Sequence, residues 1–150
     1  MTMSYDIALC KLKQSLKFNA NVKRLVMVEW WILEKLDTRK AELAGWGVVE
    51  ETKFKDMKML KSVVQEMWTR KECDAVLYNL PEGTLCGGEE KGKDFVSSGD
   101  GGSGLVYKRR TICGVYSYKD IQVSRSMAVY TNVSHFYDWV ASNAKRLECD

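Results

Sequence analysis

The stretch Ser97-Ser98-Gly99-Asp100-Gly101-Gly102-Ser103-Gly104-Leu105-Val106 decides the fold. It predicts a tight loop that runs into a β-strand, because four glycines fall within residues 99–104 and apolar residues follow. Glycine lets a backbone adopt positive φ or approach another segment closely. Taken alone, such a run is typical of a surface β-turn, so the flanking sequence has to decide between a turn and a site.

Strand patterns flank this loop along the chain. Residues 5–12 alternate apolar and polar side chains and predict an amphipathic strand. Residues 60–68, 111–118 and 128–133 also predict strands. Ala44-Gly45-Trp46-Gly47 predicts a buried aromatic side chain between flexible glycines. Residues 18–44 contain no proline, which leaves a short helix open there.

Two helices are predicted. Thr69 and Glu72 have the spacing of a capping box, which predicts a short helix through residues 73–77. Residues 134–144 predict an amphipathic C-terminal helix with Ser134 as its N-cap. The side chains predicted to face the core are Phe136, Trp139 and Val140.

The glycine-rich loop resembles the nucleophile loop of trypsin-like (chymotrypsin-fold) serine proteases, whose pattern is C-x-G-D-S-G-G-P-L. The matching positions are Gly99, Asp100, Gly102 and Leu105. Ser97 stands at the cysteine position, Gly104 at the proline position and Gly101 at the position of the serine nucleophile. Because glycine has no side chain to attack a carbonyl, covalent acyl transfer from residue 101 is unavailable.

Further motifs follow in the order of the same family. Asp6-Ile7-Ala8-Leu9 matches its D-I-A-L motif, and the Gly-Trp-Gly and Val129-Tyr130-Thr131 segments match later landmarks. The resemblance implies an all-β fold made of the last strand of a first antiparallel β-barrel, a second barrel and a C-terminal α-helix. The implied division is residues 1–17 for the remnant of the first barrel, 18–44 for the connection, 45–133 for the second barrel and 134–146 for the helix.

The resemblance also implies site residues. Asp6 takes the place of the triad aspartate, which orients a catalytic histidine. The backbone N–H groups of Gly99 and Gly101 take the place of the oxyanion-hole donors. Asp100 stands where the family has a carboxylate that pairs with a new N-terminus after activation cleavage, so we expect an inactive, zymogen-like loop. The only histidine, His135, lies near the far end of the chain and is predicted to be a surface residue.

The implied substrate pocket is altered. Its base falls on Asp94 or Phe95, depending on where one inserted residue is placed. Asp94 would indicate recognition of lysine or arginine, and Phe95 would not. Lys119 stands where trypsin-like enzymes have a wall glycine, and its bulk and charge argue against a basic side chain in the pocket. The other implied pocket residues are Ser117, Tyr118 and Ala128.

Five cysteines leave at least one thiol without an intramolecular partner. The resemblance implies a disulfide between Cys73 and Cys86 that closes a small loop. Cys10, Cys113 and Cys149 have no partner in the family, so pairing with each other and pairing with another chain both stay open. With one histidine and no Cys/His cluster, neither a zinc site nor a cofactor is expected.

Composition sets limits on the class of protein. A chain of 150 residues with 45% hydrophobic and 29% charged residues predicts one globular domain. The net charge of +3 is too small and too interspersed to predict a nucleic-acid partner. No apolar run is long enough for a transmembrane helix, so no membrane partner is expected. No signal-peptide pattern is visible, whereas the family resemblance implies a secreted, extracellular protein.

These observations predict a non-catalytic homologue of trypsin-like serine proteases, which serves as a binding or decoy module for a protein or peptide in the residual cleft. The alternative is a serine endopeptidase whose N-terminal half is missing from this chain. A third hypothesis is a degenerate fragment that exposes the barrel face meant to pack on a partner.

Overall fold

The structure of the chain is a computed structural model that describes residues 3–29, 32, 39–48, 59–88, 96–121, 123 and 126–149. Within these residues it contains seven strands and two helices. The strands are β1 (Val26–Met27), β2 (Lys40–Gly45), β3 (Lys61–Trp68), β4 (Thr84–Gly87), β5 (Gly104–Tyr107), β6 (Thr111–Tyr118) and β7 (Ala128–Asn132). The helices are α1 (Arg70–Val76) and α2 (Tyr137–Cys149).

Six of the strands close into an antiparallel barrel. Their order is β6-β5-β2-β3-β4-β7, and a further pairing between β6 and β7 closes the ring. β1 adds to the outside of β6 in parallel, with Val26 beside Thr111. The predicted mostly-β fold with a barrel and a C-terminal helix is therefore confirmed.

The barrel interior follows the alternation of its strands. Along β2, Ala41 and Leu43 are buried, and they pack with Leu105 of β5 and Tyr130 of β7. Because successive side chains of a strand point to opposite faces, this alternation places one face of β2 in the core. The glycine-rich loop begins directly after Val96, which is buried in this core. The core therefore holds the start of the loop in place.

A second apolar cluster lies under α1. The predicted capping box is present, because the Thr69 side chain accepts from the Glu72 N–H and the Glu72 carboxylate accepts from the Thr69 N–H. The predicted disulfide between Cys73 and Cys86 joins α1 to β4 and is buried in this cluster. Helix, cap and disulfide together fix one wall of the barrel.

The strand predicted over residues 5–12 is absent. A strand needs a neighbour to accept and donate its backbone hydrogen bonds, and none of the described strands forms a ladder with this segment. Side chains hold it instead: the Thr131 hydroxyl donates to the Asp6 carbonyl at 2.6 Å. The assignment of residues 1–17 to a first barrel stays a prediction.

Three smaller expectations are also corrected. Trp46 is 61% exposed and not buried. α2 begins at Tyr137, and the Ser134 hydroxyl, predicted to cap it, is buried without a hydrogen-bond partner among the described residues. The Asn132 side chain accepts from the Ser134 and His135 N–H groups instead, because it starts a turn ahead of the helix. Trp139 is exposed on α2, whereas Phe136 is buried as expected.

The connection predicted over residues 18–44 contains β1 and nearly all of β2, which begins at Lys40. The barrel thus starts before residue 45. Within the described part of the chain, neither α1 nor α2 has the length and the apolar character that spanning a membrane requires.

Candidate active site

The glycine-rich loop is held by its own backbone and by β6. The Asp100 N–H donates to the Ser97 carbonyl at 3.0 Å, and the Ser103 N–H donates to the Asp100 carbonyl at 2.9 Å. The Gly102 N–H reaches the Tyr116 carbonyl at 2.9 Å, which ties the loop to β6. Gly99 and Gly102 have φ of 96° and 84°, a region that strongly favours glycine. The sequence specifies this loop by placing glycine at both positions.

The Asp100 carboxylate points into the protein and is satisfied there. Asp100 is 7% exposed, and its two oxygens accept from the Gly47 N–H at 2.8 Å and from the Ser97 N–H at 2.9 Å. A buried carboxylate without such donors would be costly. These two backbone N–H groups satisfy the buried carboxylate. Among the described residues, the loop is therefore held by backbone donors and not by a charged amine.

The glycines of the Gly-Trp-Gly motif make room for this carboxylate. A Cβ atom built on Gly45 or on Gly47 would overlap the Asp100 carboxylate oxygens. The motif was expected to serve the burial of its tryptophan, and its glycines instead accommodate Asp100. The sequence shows two glycines around an aromatic residue, but it does not reveal that they contact Asp100, which lies 53 residues beyond Gly47.

Gly101 faces open space. A Cβ atom added there meets no atom within 4 Å, and the residue does not have positive φ. Within the described part of the chain, no hydrogen bond occupies the N–H groups of Gly99 or Gly101. The loop therefore has two backbone donors that no described residue uses, and their role as an oxyanion hole stays a prediction.

Asp6 lies on the surface and is held by β6 and β7. The Ser117 hydroxyl donates to Asp6 Oδ2 at 2.6 Å, and the Thr131 hydroxyl donates to the Asp6 carbonyl. Ser117, expected in the pocket, is thus engaged with Asp6. His135 is exposed in the turn before α2, where its ring packs on Phe136 with 4.9 Å between centroids. Asp6 therefore has a hydroxyl partner, and the position of His135 as a surface residue agrees with the prediction.

The other predicted pocket residues separate into three groups. Asp94 and Phe95 lie outside the described residues. Tyr118 and Lys119 are half-buried at the end of β6, and burial, with a smaller contribution from the Asp120 carboxylate, raises the pKa of the Tyr118 phenol. Ala128 is fully buried and packs in the barrel core with Tyr130. The pocket itself stays a prediction.

The cysteines outside the disulfide are free thiols where their side chains are described. Cys10 is exposed, and Cys113 is buried against Tyr107 and Val28. Burial raises the pKa of the Cys113 thiol to about 11, although a hydrogen bond with the Tyr107 backbone acts in the opposite direction. The possibility that Cys10 and Cys113 pair with each other is therefore wrong. Among the described residues, no three histidine, cysteine, aspartate or glutamate side chains converge as metal ligands would.

The chain is similar in sequence to one protein family and to several known proteins. A family model described as Trypsin matches residues 1–140. Hypodermin-B of Hypoderma lineatum is 31% identical over 149 residues, which is 97% of this chain and 56% of the relative. Inactive CLIP domain-containing serine protease A8 of Anopheles gambiae is 26% identical over 148 residues, which is 90% of this chain and 40% of the relative.

Among solved structures, neuropsin, a serine protease expressed in the limbic system of mouse brain, superposes with a TM-score of 0.74 at 20% identity. That match covers 89% of this chain and 59% of neuropsin, and it concerns the fold. The chain thus spans about half the length of the curated relatives it matches.

Proposed function

Because the chain belongs to the trypsin family of serine proteases, we propose that it is a non-catalytic member that binds polypeptide in the remaining cleft. The observation that carries the proposal is Gly101. This residue stands at the nucleophile position and has open space beside it, so nothing in the fold prevents a serine there. Residue 101 itself nonetheless has no side-chain atom that could attack a carbonyl.

The residues around Gly101 support a binding role. The N–H groups of Gly99 and Gly101 have no partner within the described residues, and the buried Asp100 holds their loop in place. Backbone donors fixed in this way lose little conformational freedom when a peptide carbonyl binds them. Loss of the serine side chain removes the covalent step and leaves these donors intact.

The catalytic part of the proposal is tested with a fluorophosphonate probe, which labels an activated serine. We expect no labelling of the natural chain. We also expect no labelling of Gly101→Ser, because the hydroxyl would have no imidazole to take its proton: His135 packs on Phe136 in the turn before α2. Rapid labelling of the natural chain would refute the proposal, and bovine trypsin serves as the positive control.

The binding part is tested with a phage-displayed library of random peptides selected against the natural chain. A Gly101→Leu variant places an apolar side chain where the peptide carbonyl would sit and leaves the fold intact, since the position is open. We expect selected peptides to bind Gly101→Leu at least about tenfold more weakly, because the carbonyl loses its backbone donors. The exposed, remote Lys71→Leu serves as the control, and equal binding to all three proteins would contradict the cleft as the binding site.

A second candidate function is a serine endopeptidase of which this chain is the C-terminal half. It is supported by the length of the relatives, since the chain covers 56% of hypodermin-B. Intact mass of the protein from its natural source tests it. A mass well above that of 150 residues, together with serine at position 101 in the transcript, would favour this candidate over the binding module.

Secretion is the location that we propose for either function. It is supported by the buried disulfide between Cys73 and Cys86, since such bonds persist in oxidising compartments. Detection of the protein in culture medium, with Cys73 and Cys86 oxidised, tests it.

A further inference from the structure

Basic residues from two distant segments meet at one end of the barrel. β1 pairs in parallel with β6, and the Val26 N–H donates to the Arg110 carbonyl at 2.8 Å. This pairing sets the residues just before Val26 beside the turn that precedes Thr111. We call this surface the basic turn patch, and its members are Lys23, Arg24, Lys108, Arg109 and Arg110.

The charge of this patch is concentrated. All five members are exposed. Residues 7–28 and 101–119, which carry them, contain no aspartate or glutamate. Glu29, two residues beyond the end of β1, is the nearest acidic residue in that segment, and both Glu29 and the patch member Lys108 take part in further interactions. The five positive charges of the patch exceed the net charge of the whole chain, which is +3.

The turn at the centre of the patch has unusual residues for its shape. It joins β5 to β6, and the Arg110 N–H donates to the Tyr107 carbonyl at 3.1 Å. Lys108 and Arg109 have φ of 46° and 56°, the left-handed pair of a type I′ turn. Gly, Asn and Asp are the residues that dominate the two central positions of such a turn, because both require positive φ. Lys-Arg therefore occupies a position where the backbone alone would select other residues.

The patch is separate from the cleft. β5 runs from Gly104, beside the glycine-rich loop, to Tyr107, beside the basic turn. From Gly104 to Tyr107 the strand rises about 10 Å, so the basic turn and Gly101 lie at opposite ends of β5. The inference therefore does not depend on the proposed function of the cleft.

We propose that the basic turn patch binds a sulfated polysaccharide. Arginine presents a planar fork of donors that matches the oxygens of sulfate and carboxylate groups, and three of the five members are arginines. An exposed turn tip, where two segments of cations lie side by side, fits a linear chain of closely spaced anions. Phe18 supports the Arg24 guanidinium, which lies 5.7 Å from the centre of its ring.

The experiment uses the full chain and heparin as the probe. The test variant is Lys108→Asn with Arg109→Gly, which removes two cations and places residues that tolerate positive φ at both positions, so we expect the turn to be kept. The matched control is Lys61→Gln with Lys71→Gln, which removes two exposed cations from β3 and α1. Affinity is measured by calorimetry at several NaCl concentrations.

We expect the turn variant to bind heparin at least about tenfold more weakly than the natural chain. The slope of log affinity against log salt should fall in magnitude by about two, because two ion contacts are lost. The control variant should bind within about twofold of the natural chain. An equal loss in both variants would show attraction by net charge alone and would overturn the proposal, as would unchanged binding by the turn variant.

Competition at equal anionic charge identifies the class of ligand. Heparin should displace itself efficiently, whereas desulfated heparin, polyglutamate, single-stranded DNA and phosphatidylserine vesicles should compete at least about tenfold less well. Equal competition by any of these four would overturn the assignment to a sulfated polysaccharide.

Discussion

The Asp100 carboxylate depends on two residues that have no side chain. At Gly47, a methyl group would displace the carboxylate from the N–H groups that it accepts from. We expect Gly47→Ala to destabilise the protein by about 2 kcal/mol, the cost of a buried polar group that loses its hydrogen bonds. Urea unfolding followed by tryptophan fluorescence measures this loss.

Gly101→Ala is the control for that change, because its added Cβ atom meets nothing within 4 Å. Its free energy of unfolding should stay within about 0.5 kcal/mol of the natural value. If Gly47→Ala were as stable as Gly101→Ala, the carboxylate would not need the space at Gly47.

The buried Cys113 thiol should make stability fall at alkaline pH. Burial raises its pKa from 9.0 to about 11, so the thiol stays protonated in the folded chain while it ionises in the unfolded chain. Its contribution is complete below pH 9 and is lost as the pH rises from about 9 to 11. Between pH 8 and pH 10, the free energy of unfolding should fall by about 1 kcal/mol more in the natural chain than in Cys113→Ala.

Urea midpoints at the two pH values provide the comparison. Because Tyr118 and Tyr130 are present in both proteins, their ionisation cancels from the difference. An identical pH dependence in both proteins would contradict a buried, protonated thiol.

At the scale of elements, α1 is a short helix of seven residues that depends on its cap. Thr69→Ala removes the side-chain acceptor for the Glu72 N–H and should cost about 1 kcal/mol. Lys71→Ala, on the exposed side of the same helix, should have little effect. Urea midpoints of the two variants decide the matter, and equal midpoints would show that the disulfide holds α1 without its cap.

Elements whose signals are local were predictable from the sequence. The capping box of α1 lies within four residues, and β6 was predicted over the residues 111–118 that it occupies, since its pattern is contained in the strand. The strand predicted over residues 5–12 failed because pairing depends on a neighbour that the pattern does not reveal. The same limit applies to the site: the loop around Asp100 could be placed, but its contact with Gly47 joins residues that are far apart in the chain.

At the scale of the whole molecule, the chain consists of a packed barrel and a loosely attached leading segment. Residues 8–16 make no backbone–backbone hydrogen bond with the described residues, and Lys11, Lys13 and the neighbouring Lys17 are exposed. Proteases cleave backbone that opens easily. Brief digestion with trypsin should therefore cut after these lysines well before it cuts after Lys40 or Lys61 in the strands.

Mass spectrometry of the early products identifies the order of cleavage. Cleavage after Lys40 or Lys61 at the same early time would contradict a barrel that is more stable than its leading segment.

Closure of the barrel through the pairing of β6 with β7 also affects how copies of the chain meet. An open sheet presents a row of unpaired N–H and C=O groups on which another chain can add as a strand. In the ring formed by β2 to β7, each strand pairs with a neighbour on both sides over at least part of its length, and the open edges left in the described chain are short: the two-residue β1 and the start of β3, which pairs with β4 only at Met67 and Trp68. The folded barrel thus offers little template for fibril growth, and partial opening between β6 and β7 is the event that would create one.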